Sequence, residues 1–106
     1  MLSDQFELYD LRVTVVEIKG RSVCGLQVGD YFELSESSHL RIPADKHFCI
    51  YALGSVLALL SAKQRHLHAN DWMEKDSLVA CPDPDEQLIM KIERIARRTL
   101  NTDELT

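Results

Sequence analysis

The segment His47 to Lys63, HFCIYALGSVLALLSAK, constrains this chain more than any other stretch. It is the longest apolar run. Within it Cys49, Ala52, Leu53, Val56, Leu57 and Leu60 recur at three- and four-residue steps, which sets one broad stripe of a helix against a core. The apolar part is too short to span a bilayer and is interrupted by Gly54 and Ser55, so no membrane role is expected. The rest of the chain has to supply a surface that covers this stripe.

That surface reads as strands. From Tyr9 to Ile18, Leu11, Val13 and Val15 alternate with polar residues, and the apolar phase shifts at Val15-Val16, the mark of a bulge or of a strand covered on both sides. Lys19-Gly20-Arg21 reads as a turn, with Gly20 giving the backbone its freedom. A second strand is expected from Val23 to Leu34, paired with the first as a hairpin. Gly25 and Gly29 in that stretch lack the Lys-Ser/Thr ending and the following helix of a phosphate loop, and read as a turn and a bulge. Pro43 and Asp45 fit the start of the central helix.

Beyond the helix, Arg65-His66-Leu67-His68 reads as a solvated basic end, although an HxH pair is also a weak metal signal. Trp72, the single tryptophan, is expected to cover the open edge of the core. Ser77 to Cys81 forms a third strand that Pro82-Asp83-Pro84-Asp85 ends as a rigid turn. Gln87 to Ile95 forms the fourth, and Arg94 to Leu100 has helical character ahead of a polar, mobile tail. The expected fold is therefore α+β: a small antiparallel sheet of about four strands in two hairpins, with one central helix on one face. The uncovered sheet face favours a homo-oligomer, with a dimer as the simplest closure.

A chain of 106 residues with 45% hydrophobic and 27% charged content is expected to form one domain, ordered from about residue 8 to residue 96. Such a domain buries roughly two-thirds of its unfolded surface, so any metal would serve function rather than folding. A net charge of −5 with no basic, aromatic-interleaved strand argues against nucleic acid as partner. MLSDQFELYD has neither the basic nor the apolar region of a secretory signal, which points to a cytoplasmic address and reduced thiols.

Three cysteines remain. Cys24 precedes Gly25 and the Val28-Gly29-Asp30 segment, Cys49 sits in the first turns of the apolar helix, and Cys81 opens Cys-Pro-Asp-Pro. This combination resembles a family of small uncharacterised prokaryotic proteins. The resemblance runs from about Tyr9 to Arg94, with Cys-Pro-Asp-Pro its most distinctive part, and it implies a fold but no reaction. The intervals between the cysteines exclude a CxxC knuckle. All three nevertheless fall where connections leave regular elements. If those ends share one rim of the sheet, the thiols meet there.

Two functions follow from the residues. In the first, Cys24, Cys49 and Cys81, with His47 or His39 as a fourth ligand, form a thiol-lined small-ligand or soft-metal site suited to zinc or Cu(I). Tyr51 and Trp72 then contact the ligand, and Cys49, Cys81 and Asp83 do the chemistry of an accessory enzyme, with Asp83 as base unless it merely forms a turn. Cys49 near the unpaired amides of the helix start favours thiolate; as a small buried hydrophobe it would be inert. In the second function the chain is a non-catalytic oligomeric interaction module and the cysteines are dispensable.

Overall fold

The computed structural model describes residues 3–106. Among these residues the chain forms β1 (Gln5–Ile18), β2 (Tyr31–Ser35), β3 (His39–Arg41), α1 (Ile50–Lys63), β4 (Ser77–Ala80) and β5 (Leu88–Asn101). Short 3-10 turns occupy Trp72–Glu74 and Thr102–Glu104. The strands make one antiparallel sheet in the order β3-β2-β1-β5-β4, and the fold is α+β with one strand more than the sequence predicts. β1–β2 and β4–β5 are the two antiparallel pairs read from the sequence, and the long β1 and β5 join them down the middle.

Alternation along the strands decides which face is dry. Leu11, Val13 and Val15 of β1, Phe32 of β2, and Leu88, Met90 and Ile92 of β5 are buried together beneath Ala52, Val56 and Leu60 of α1. Each of the larger of these side chains contributes about 2 kcal/mol by leaving water. The other face is polar: Arg12 pairs with Glu33 at 2.7 Å and its guanidinium stacks on the Tyr31 ring. The phase shift at Val16 is a bulge, since Val15 pairs with Met90 and Glu17 with Ile89, leaving Val16 unpaired.

Several expectations require correction. Residues 23–30 are loop rather than strand. Gly25 takes φ 78°, and Ser22 Oγ and Asp30 Oδ2 accept from the amides of Leu26 and Gln27, so local side-chain bonds replace a ladder. Residues 94–100 are strand rather than helix, because Arg97 and Arg98 find carboxylates across the sheet on Glu7 and Asp10. The sheet accordingly runs to Gln5 and Asn101, beyond the expected limits, and the polar end carries a 3-10 turn. The helix begins at Ile50; Pro43 and Asp45 lie in a separate turn before it, Asp45 with φ 62°. Its buried stripe is the narrow row Ala52, Val56, Leu60 and Lys63, so Leu57 faces outward.

Trp72 does not cover the core either, being 66% exposed. That edge is closed by charge. Lys63 Nζ donates to the carbonyls of Met73 and Lys75, which ties the 3-10 turn to α1. Arg94 lies over the Tyr9 ring and donates to the Lys63 and Arg65 carbonyls and to the Glu74 carboxylate. With these positions filled by long amphipathic side chains, the indole has nothing left to seal. Among the described residues, no helix is long and apolar enough to cross a membrane.

Candidate functional site

The three cysteines meet. Cys24 comes from the β1–β2 loop, Cys49 from the residue before α1 and Cys81 from the residue after β4, and all three line one cleft of about 510 Å³. Val23, Ile50, Tyr51 and Pro82 form its apolar walls, while Asp83 and Glu86 supply carboxyl groups. Tyr51, 72% exposed, stands at the rim.

Each thiol is placed by ordinary backbone chemistry. The left-handed Gly25 turns the loop just after Cys24, its amide returning to the Ser22 carbonyl at 3.1 Å, while the buried Leu26 anchors that turn in the core. Ser22 Oγ lies 3.4 Å from Cys24 Sγ. Cys49 is the extended residue that starts α1, and its side chain makes no capping bond, so the sulfur is left to the cleft. The Cys81 amide donates to the Leu88 carbonyl at 3.0 Å, one last rung of the β4–β5 ladder, and Pro82, lacking an N–H, ends it.

The fourth group is Glu86, which the sequence reading overlooks. Its side chain is 2% exposed, and Cys24 Sγ donates to its Oε2 at 3.8 Å. The return path of the chain puts it there. The segment before β5 crosses Gly20, whose amide donates to the Glu86 carbonyl at 3.0 Å. A Cβ on Gly20 would stand 1.8 Å from the Asp85 oxygen. Gly20 is thus required by a close backbone approach rather than by the freedom of a turn. A Glu after Pro-Asp-Pro-Asp reads as one more solvated acid, and no periodicity distinguishes it.

Burial and Glu86 together hold the Cys24 and Cys81 thiols in their neutral form. Burial pushes the Cys81 thiol up to about 11; the Asp83 amide opposes this, and the Glu86 carboxyl adds to it. Cys24 is raised too, by burial first, with Ser22 opposing and then Cys49 and Glu86 adding. Cys24 feels Cys49, and Cys81 feels both Glu86 and Cys49. Glu86 thus acts on two of the three thiols, Cys24 and Cys81.

The structure brings Cys24, Cys49, Cys81, Tyr51 and Asp83 together. Asp83 Oδ1 accepts from the Asp85 amide at 3.0 Å, the turn-forming role. Three expected members stand apart. His47 Nε2 donates to the Cys24 carbonyl at 2.6 Å and buttresses the loop from outside the cleft, and Trp72 lies at the other end of α1. His39 pairs with Glu36 on the β2–β3 hairpin. In the HxH pair, His66 faces Glu74 while His68 Nδ1 accepts from the Asn70 amide. Among the described residues, no group of three or more His, Cys, Asp or Glu side chains is arranged to hold a metal ion. Comparison with protein-family models, curated proteins and solved structures gives no match, so the resemblance to small prokaryotic proteins rests on its motifs alone.

Proposed function

We propose that the chain is a cytoplasmic small-molecule-binding protein whose cleft takes a compact apolar ligand bearing a soft, thiol-seeking centre. The observation that carries this reading is the meeting of Cys24, Cys49 and Cys81, from three distant parts of the chain, on one cleft with apolar walls. About 510 Å³ lies within the usual range of small-ligand sites. The walls of Val23, Ile50 and Tyr51 favour an apolar body, and the thiols fix the position of its soft atom. Binding is favoured over catalysis because Asp83, the expected base, has an oxygen committed to its own turn. Zinc or Cu(I) is the less favoured occupant. A thiol must lose its proton to ligate a metal, and burial and Glu86 oppose that loss at Cys81 and Cys24.

Phenylarsine oxide tests the reading, since its phenyl ring matches the walls and its arsenic condenses with two thiols, releasing water. Reduced protein is expected to take up one equivalent, read by intact mass, and Cys49→Ser is expected to abolish tight uptake. If the reduced protein takes up no arsenical, or if all three cysteines can be replaced by serine without loss of uptake, the cleft is not a thiol-based ligand site. A non-catalytic docking module is then the better reading.

A further inference from the structure

We propose that Cys24 and Cys49 form a redox pair, closed to a disulfide by exchange with a low-molecular-weight disulfide, so that the cleft holds its soft ligand only when reduced. The inference rests on the ligand reading for its consequence and on geometry alone for the pair itself. The two side chains line the same cleft. Neither residue lies inside a helix or a strand: Cys24 is in the loop turned by Gly25, and Cys49 precedes α1 with extended backbone and no capping bond. Joining them touches no strand ladder, and the first helical bond, from the Leu53 amide to the Cys49 carbonyl at 2.9 Å, involves backbone only. Cys81 is less free to join, because its amide is bound into the β4–β5 ladder and its side chain is 7% exposed.

Glu86 sets the order of attack. Its carboxyl oxygen lies 3.8 Å from Cys24 Sγ and its charge also acts on Cys81, and a negative charge there repels a sulfur anion. The first nucleophile is thus Cys49. Its thiolate attacks one sulfur of the external disulfide, forming a mixed disulfide at Cys49 and expelling one external thiolate. Cys24, giving its proton to solvent, then attacks the Cys49 sulfur and expels the second. Two protein thiols are oxidised by two electrons and one external disulfide is reduced to two thiols. Closure removes two of the three thiols from the cleft and leaves Cys81 alone.

Glutathione disulfide serves as the probe on the reduced full chain, with free thiols then alkylated and the peptides mapped without reduction. The expected product has lost two hydrogens, links Cys24 to Cys49 and carries an alkylated Cys81. Cys24→Ser is expected to stop at a glutathione adduct on Cys49, and Cys81→Ser to form the same link as the native chain. The oxidised protein is expected to lose phenylarsine oxide uptake at least tenfold and to regain it on reduction. Cross-linking through Cys81, or a stable Cys49 adduct with Cys24 intact, overturns the pairing. Formation of the Cys24–Cys49 link in a chain that never took up the arsenical upholds the pair and overturns the ligand reading. Arsenical uptake unchanged by the link overturns the switch.

Discussion

Replacing Glu86 by Gln removes one negative charge from the centre of the cleft while keeping the shape of the side chain. Cys81 sits at about 11 against an ordinary 9.0, and the leading cause is burial, with the Glu86 carboxyl adding to it as hydrogen-bond partner and as charge. Glu86→Gln leaves the burial in place, so Cys81 is expected to fall below 11 without reaching its ordinary value. Full relief would raise its thiolate population near neutral pH by about a hundredfold. A less basic thiolate is also a weaker nucleophile, with a Brønsted slope of about 0.4–0.5, so the ceiling on alkylation rate is roughly tenfold. Burial keeps part of that, and an increase of about three- to fivefold is expected. Iodoacetamide labelling across pH, read at the Cys81 peptide by mass spectrometry, measures it. Cys24 should move the same way by less, since Glu86 is the last of its causes. An unmoved Cys81 profile, or one displaced upward in a variant with native circular dichroism, would refute the claim that Glu86 restrains the thiols.

Three further outcomes are expected. Because Cys81 holds its proton more tightly folded than unfolded, its contribution is complete below about pH 9 and is lost as pH rises toward 11, a decline of at most about 3 kcal/mol in urea titrations that Glu86→Gln should shrink. Gly20→Ala forces a methyl group against the Asp85 carbonyl and should cost about 3 kcal/mol in the same titrations, while unseating Glu86 and raising Cys24 and Cys81 reactivity. Arg94→Ala leaves the Lys63 and Arg65 carbonyls unpaired and should cost about 3 kcal/mol. Glu74, held down at about 2 chiefly by the Arg94 hydrogen bond, should then rise toward the ordinary carboxylate range when followed by NMR, with the Leu67 amide still holding it below.

The sequence alone determined the class of the fold, because periodicity is local: the apolar helix and the alternating Leu11-Val13-Val15 and Leu88-Met90-Ile92 rows each declare which side must be covered. It also marked the phase shift at Val15-Val16, with a bulge as one of two readings, and put Cys49 and Cys81 near element ends, whereas Cys24 lies in a loop where the sequence predicts a strand. Tertiary structure decided what depends on partners far along the chain. Arg94 to Leu100 became strand because β1 supplies Glu7 and Asp10 opposite it, an advantage that local helical character does not register. The edge assigned to Trp72 went instead to Lys63 and Arg94, whose carbonyl partners are distant in sequence. Glu86 became the centre of the cleft only because the chain returns across Gly20, a contact that links residues far apart along the backbone. The meeting of the thiols and the burial of the acid are properties of chain path, and no window of neighbouring residues records that path.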